Sequence, residues 1–248
     1  MADEGPRSAV FSTMLVSADG RVANWPLHRQ RLERHAQRLR INLPPHPPAI
    51  AGHDHQGPML ATVRYGAQQG DWTIEKRPLS VHDEDIDAIS KPAPRWNERT
   101  NGTKHGQWEP YLQAHEEAKS AGCDAALLVH DHAIIDADRA TPIVLDEDGT
   151  VWLSPVDQGG VDSITATVLA NRLPNLGLPV VRGHLNERTV ARCAELVVVG
   201  TGMGVCHVTS LDGEPLGTSR ALSEACRRLL HEHFTDESVW TLPGMVDV

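Results

Sequence analysis

At 248 residues the chain is long enough to bury one large core or two small ones. Hydrophobic residues make up 40% and charged residues 23%, as in an ordinary globular protein, and the formal net charge of −10 argues against a nucleic-acid partner, which would require a basic face. No apolar run approaches the roughly 18 residues of a membrane span. There is no signal-peptide pattern, and Cys123, Cys193, Cys206 and Cys226 form no Cys-x-x-Cys, so the expectation is a cytoplasmic protein with reduced thiols and no membrane partner.

In chain order, Ala9 to Val16 has a strand pattern and Asp19-Gly20-Arg21 a hairpin-type turn. Pro26 to Ile41 reads as a helix with Leu27, Leu32, Ala36 and Leu39 on one face. Leu43 to Pro58, rich in Pro, His and Gly, reads as loop. Met59–Tyr65 and Asp71–Val81 read as paired strands. Asp83 to Arg99, with two prolines and many charges, reads as the connection between domains, centred on 91–100. Beyond it come a helix over Glu109–Ala121 and strands over Ala125–Val129, Ala133–Asp136, Pro142–Leu145 and Val151–Ser154. A helix over Ser163–Leu173, strands over Val180–Gly183 and Leu196–Gly200, and a helix over Arg220–Phe234 complete the pattern. The expectation is two α+β domains, 1–90 and 101–248, with a site between them.

Within this frame Lys104 stands out. Of 23 basic residues only Lys76, Lys91, Lys104 and Lys119 are lysines, and Lys104 follows the short polar turn Arg99-Thr100-Asn101-Gly102-Thr103. An ammonium can lose its proton and attack a carbonyl, which a guanidinium cannot. Read alone, it is either a Schiff-base lysine or a surface charge. Three later segments suit an anion or a cofactor. Asp157-Gln158-Gly159-Gly160-Val161-Asp162-Ser163-Ile164-Thr165 leads into a helix whose start favours an anion, with Asp162 or Ser163 as simple N-caps the competing reading. Val197-Val198-Val199-Gly200-Thr201-Gly202-Met203-Gly204 is a buried strand ending in a small-residue turn. In Ile134-Ile135-Asp136-Ala137-Asp138-Arg139-Ala140-Thr141 an acid ends an apolar strand, where burial demands a partner. The pairs in His53-Asp54-His55, His130-Asp131-His132 and His231-Glu232-His233 lack further ligands nearby, so no metal is expected. Trp108 and Tyr111 are pocket-lining or core aromatics.

The order of these motifs resembles the class IV, fold-type IV, pyridoxal-phosphate enzymes, which include branched-chain and D-amino-acid aminotransferases and 4-amino-4-deoxychorismate lyase. Phe11-Ser12-Thr13-Met14 followed by Asp19-Gly20 is similar to the family's Phe-Glu-Thr strand and Asp-Gly turn. His28-x-x-Arg31-Leu32 is similar to its His-x-x-Arg-Leu helix, and Thr103-Lys104-His105 to its Schiff-base segment in the lyase-like form. Gly122-Cys123-Asp124-Ala125-Ala126-Leu127-Leu128 resembles the strand that follows, Asp157-Gln158-x-Gly160-Val161 leans towards the lyase branch, and Leu211-Asp212-Gly213 resembles a later hairpin.

The resemblance implies a two-domain α+β fold with pyridoxal 5'-phosphate between the domains, and a homodimer. It implies Lys104 as the covalent attachment and catalytic base, and Arg31, Ile164, Thr165, Thr201 and Gly202 around the phosphate. Asp136 falls at the ring nitrogen, where a carboxylate holds the proton that deepens the electron sink. Phe11, Thr13, Arg64, Tyr65, His105 and Trp108 fall on the substrate side. Asp136 replaces the family's usual glutamate, Thr141 its asparagine and Arg64-Tyr65-Gly66 its Thr/Ser-Arg-Gly, and the Asp-Arg-Gly usual before Phe11 is missing. Three activities follow from the resemblance: a lyase that eliminates pyruvate from an amino-chorismate-type substrate, an aminotransferase acting on branched-chain or D-amino acids, or a catalytically degenerate relative.

Overall fold

The computed structural model describes residues 5–81 and 84–244; Asp83, the expected start of the connection, lies outside them. The strands are β1 (Ala9–Val16), β2 (Val22–Ala23), β3 (Met59–Gly66), β4 (Asp71–Pro78), β5 (Ile86–Pro92), β6 (Ala125–His130), β7 (Ala133–Ala137), β8 (Thr141–Leu145), β9 (Val151–Leu153), β10 (Val180–Arg182), β11 (Leu185–Asn186), β12 (Glu195–Gly200), β13 (Gly204–Leu211), β14 (Glu214–Pro215) and β15 (Trp240–Thr241). The helices are α1 (Trp25–Leu39), α2 (Glu109–Ser120), α3 (Ile164–Ala170), α4 (Glu187–Ala191) and α5 (Ala221–Thr235). The chain forms two compact α+β units. One comprises Met1–Ser80, Thr103–Trp108 and His231–Val248, the other Val81–Gly102 and Glu109–Leu230. The chain crosses between the two units four times, and Lys104 belongs to the first unit.

The first unit is a sheet in the order β15-β2-β1-β3-β4 with α1 on one face. β1 and β3 pair antiparallel from Ala9↔Gly66 to Val16↔Met59, so alternate residues divide between two faces. Val10 and Tyr65 pack with Leu32, Ala36 and Leu39 of α1. On the opposite face Leu15 and Leu60 are covered by Phe234 and Trp240. The buried stripe of α1 is Trp25, His28, Arg31, Leu32, His35, Ala36 and Leu39, and Leu27 is exposed. Leu27 lies five positions before Leu32, well off the stripe that Trp25 and His28 occupy seven and four positions before it. α1 stops at Arg40, which turns left-handed at φ 57° and donates its N–H to the carbonyls of Ala36 and Gln37.

The second unit carries the sheet β10-β9-β8-β12-β13-β5-β6-β7-β11, with β14 on β13. The path from β8 to β7 returns to its start, because a tight turn in which Ala137 N–H donates to Ala140 O (3.2 Å) joins β7 to β8. β5 runs parallel to both β13 and β6. This is the segment that reads as interdomain connection. Its polar side chains hide the strand: Asp87 accepts hydroxyl protons from Thr209 and Ser210, and Ser90 donates its N–H (2.7 Å) and hydroxyl (2.6 Å) to Asp212. Pro92 stands at the strand's last position, where a missing N–H costs least. β13 likewise escapes a reading that treats Gly200 to Gly204 as a turn and stops there.

The most buried acid of this unit, Glu195 on β12, accepts N–H donors from Leu222 (2.7 Å) and Ser223 (3.1 Å) and lies 3.3 Å from His207 Nδ1. It thereby satisfies the first turn of α5. The four cysteines are free thiols. No helix among the described residues is long and apolar enough to cross a membrane.

Candidate active site

In the first unit β1 meets β2 only at Val16↔Val22, and the edge near Val10 is taken by the Lys104 segment. Lys104 O accepts the Phe11 N–H (3.3 Å) and His105 bridges Val10. Gly106 follows because a Cβ there would collide with the Ser8 hydroxyl and press on the Ala9 nitrogen. Consecutive extended residues leave on opposite faces, so Lys104 goes with Phe11 and His105 with Val10. The Lys104 amine stands 4.5 Å from the Trp108 ring centroid and 5.0 Å from that of Phe11, within cation–π reach of both. Those two rings are 5.0 Å apart at 85°, forming a corner. On the same face of the sheet, Arg64 stands opposite Phe11 and Thr13 opposite Thr62, their hydroxyls 3.3 Å apart.

α1 presents a buried polar row to the other side of β1. Arg31 donates to Ser12 Oγ (2.7 Å), and Ser12 Oγ is 2.8 Å from His28 Nδ1. The guanidinium only donates, so Ser12 Oγ accepts from it while the same hydroxyl pairs with the imidazole. One turn on, His35 Nδ1 accepts the Lys104 backbone N–H (3.1 Å). Burial holds the His28 and His35 rings well below the usual histidine range, and Arg31 and Lys104 push both in the same direction. Burial and Lys104 take His105 down to about 4.

These three imidazoles stay neutral in the fold and protonate near 6.5 when unfolded, so the unfolded chain binds more protons below that value. Stability is therefore present above pH 6.5 and is lost as pH falls towards the folded values. His105 alone accounts for about 2 kcal/mol by pH 5. Urea midpoints at pH 7.5 and 5 should show this loss, with a flatter profile in His105→Gln; equal midpoints for the native chain would contradict it.

In the second unit Asp136 is buried at the end of β7. Its Oδ2 accepts the Val161 N–H (2.8 Å) and its Oδ1 the Ala137 N–H (3.0 Å). The Val161 contact depends on glycine: a Cβ on Gly160 would collide with the Ile135 carbonyl oxygen, and one on Gly102 would lie 2.7 Å from Gly160 O. Arg95 steadies the loop through Gln158 O (2.7 Å). Gly160→Ala should push this loop from β7, release the Val161 N–H and lower stability by about 1–3 kcal/mol. Thermal unfolding checks this, and an unchanged melting temperature would show that the loop has slack. Asp138, the next acid along the chain, is occupied elsewhere. Its carboxylate is fully buried, 2.6 Å from His115 Nδ1 and 3.6 Å from Arg139 Nε. Burial raises its pKa, and Arg139 and the His115 contact oppose that.

Tyr111 of α2 is buried and stacked on Trp96 (6.1 Å, 11°). Burial and the charge of Asp136 raise its hydroxyl pKa. Thr165 and Thr201 bring their hydroxyls within 3.3 Å of each other, from the first turn of α3 and the turn after β12. Ser163 caps α3 by accepting from Ala166 N–H (3.2 Å), so the N-cap reading holds for it. Ile164 opens the helix, buried, and Gly202 follows Thr201 in the turn.

The structure thus assembles Lys104, Phe11, Thr13, Arg64 and Trp108 on one face, Arg31 among buried polar groups behind it, and Asp136, Thr165 and Thr201 in the second unit. It separates Tyr65, which is buried on the α1 face against Trp72 (5.1 Å); the His105 ring lies 6.0 Å from that of Trp108, and its Nδ1 accepts the Gln107 N–H (3.2 Å). Ser12 and His35 escape the sequence reading, although His28, Arg31 and His35 recur at helical spacing on a stripe expected to be apolar. The histidine pairs have structural explanations: His132 sits in the β6–β7 turn at φ 60°, His53 Nε2 meets Val16 O (3.1 Å), and His233 Nε2 meets Asn24 Oδ1 (2.8 Å). No metal-binding group of three His, Cys, Asp or Glu side chains occurs among the described residues.

Residues 9–211 match the family model described as amino-transferase class IV. The chain belongs to the class IV aminotransferase family. Solved structures agree on the fold. A branched-chain aminotransferase from Thermoproteus uzoniensis, crystallised with norvaline, aligns with TM-score 0.79 at 16% identity over 95% of this chain and 90% of that one. A hypothetical aminotransferase from Mycobacterium tuberculosis, in its PLP-bound form, gives 0.78 at 16% identity over 93% and 90%. A proposed 4-amino-4-deoxychorismate lyase gives 0.71 at 24% identity over 90% and 89%. No curated protein matches the sequence.

As a class IV aminotransferase family member the chain is a pyridoxal-phosphate enzyme. Its donors suit that group. The positive field of Arg31 and Lys104 acting on two neutral imidazoles favours a phosphate, the Thr165 and Thr201 hydroxyls converge, and Asp136 offers a carboxylate held by backbone N–H groups.

Proposed function

We propose that this class IV enzyme is a lyase of the 4-amino-4-deoxychorismate type, eliminating pyruvate from an amino-chorismate-type substrate to leave an aromatic amine such as 4-aminobenzoate. The observation that carries this reading is the aromatic corner at Lys104, with Trp108 at 4.5 Å and Phe11 at 5.0 Å. Flat perpendicular walls suit a planar unsaturated ring and give a branched aliphatic chain little to fit. Lys104 would attach pyridoxal phosphate covalently. Arg31, Thr165, Thr201, Gly202 and the backbone of Ile164 would hold its phosphate, and Asp136 its ring nitrogen. When bound, that group supplies an electron sink which acidifies the C–H at the amino-bearing carbon.

The chain's own groups do the rest. Lys104 Nζ takes the proton from that carbon. The C–O bond breaks with its electron pair leaving on the enolpyruvyl oxygen as the ring becomes aromatic. The released enolate takes a proton at carbon, from the Lys104 ammonium or from water, to become pyruvate. Asp136 keeps a proton on the ring nitrogen. Phe11 and Trp108 exclude water, and Arg64 binds a substrate carboxylate.

The second reading, an aminotransferase for branched-chain or D-amino acids, is favoured by Arg64 alone, which stands on Lys104's face and can bind an ordinary α-carboxylate. Incubation with 4-amino-4-deoxychorismate should yield equal amounts of pyruvate and 4-aminobenzoate. A keto acid from leucine or D-alanine, with no pyruvate from the ring substrate, would reverse the assignment, and inactivity in both assays would indicate a degenerate relative. We further propose a cytoplasmic homodimer, in keeping with the family resemblance and the free thiols; a light-scattering mass of one chain at assay concentration would overturn the dimer.

A further inference from the structure

We propose that His35 is an additional anion-binding residue, donating its Nε2–H to the cofactor phosphate alongside Arg31. This deepens the reading of the chain as a pyridoxal-phosphate enzyme and rests on it. The tautomer follows from geometry. His35 Nδ1 accepts the Lys104 backbone N–H at 3.1 Å, so a neutral ring carries its proton on Nε2. The residue is 1% exposed, and Nε2 has no hydrogen-bond partner among the described residues. A buried donor left without an acceptor is costly, and native structures leave few of them.

The surroundings indicate what kind of acceptor belongs there. His35 follows Arg31 by four residues on α1, so the two side chains are neighbours on the same stripe. The charges acting on the ring are Arg31, Arg34, Arg38 and Lys104, all positive. An oxyanion suits both a buried donor and the cations around it. Burial among cations also keeps the imidazole neutral, which preserves Nδ1 as the acceptor for Lys104. One ring would then fix the backbone of the attachment lysine and hold the phosphate.

Asparagine and glutamine separate the two jobs. In H35N the side-chain carbonyl lies near the Nδ1 position and nothing donates at Nε2; in H35Q the longer side chain carries its amide to the neighbourhood of Nε2. The test uses the full chain stripped of cofactor, titrated with pyridoxal phosphate and with pyridoxal, and followed by the absorbance of the lysine-bound form. H35N should bind pyridoxal phosphate about tenfold or more weakly and pyridoxal within about twofold of the native chain. H35Q should recover most of the phosphate-dependent affinity, and inorganic phosphate should compete less well in H35N. Equal weakening towards both aldehydes would reduce His35 to a support for the Lys104 backbone and overturn the proposal, as would unchanged affinities. If the native chain bound neither aldehyde, the cofactor reading itself would fall, and this inference with it.

Discussion

Lys104→Ala should abolish turnover and the visible absorbance of the lysine-bound cofactor while leaving the fold intact. The contacts that place this segment are main-chain ones: Lys104 O accepts from Phe11 N–H and Lys104 N–H donates to His35 Nδ1. The side chain contributes an amine held against two rings, and ring contacts with one amine are worth about 1 kcal/mol. Activity should fall by at least about three orders of magnitude, since alanine supplies neither the covalent attachment nor the base. Lys104→Arg tests the same point with the charge retained: the ring contacts survive and the nucleophile does not. Small primary amines in the assay should restore part of the proton transfer in the alanine variant. Retained absorbance with normal turnover in either variant would remove Lys104 from the chemistry.

The second large effect concerns Asp136 and Asp138. Asp136→Asn should slow proton removal from substrate by about a hundredfold or more, because an amide does not hold a proton on a ring nitrogen as a carboxylate does. Cofactor should remain attached, since Lys104 and the phosphate donors are untouched. Asp138→Asn is expected, from the sequence, to be mild in its effect on turnover. The structure adds a cost in stability. The Asp138 carboxylate is fully buried against His115 and Arg139, so its loss should reduce stability by about 1–3 kcal/mol while turnover stays within a few-fold. Single-turnover kinetics beside denaturant unfolding would show it. A slow Asp138→Asn enzyme beside a fast Asp136→Asn enzyme would move the ring-nitrogen contact by two residues.

Local patterning was enough to find the elements with strong periodicity. β1 is a run of apolar and small residues whose observed bounds, Ala9–Val16, are those expected. The Asp212-Gly213 turn is legible because both residues take positive φ, 54° and 83°, which Asp and Gly tolerate. Lys104 and Arg31 stand out in the sequence as candidates because lysine is scarce here and the His28-x-x-Arg31-Leu32 motif has a fixed spacing. What patterning missed has a common cause. β5 reads as a linker because Asp87 and Ser90 find their partners on β13 and the turn after it, more than a hundred residues away. α1 reads as apolar on one face because nothing local announces that His28, Arg31 and His35 are buried in mutual contact with β1 and the Lys104 backbone.

The sequence by itself determined the family and the α+β class, since motif order, hydrophobic period and residue type are properties of the chain alone. Only tertiary structure decided which side chains share Lys104's face, that Asp136 takes the Val161 N–H while Asp138 takes His115, and that His35 reaches the lysine backbone. Each of these depends on strand register or on hydrogen bonds between residues distant in sequence. A shift of one residue in β1 against β3 would put Tyr65 opposite Phe11 in place of Arg64 without altering any local preference.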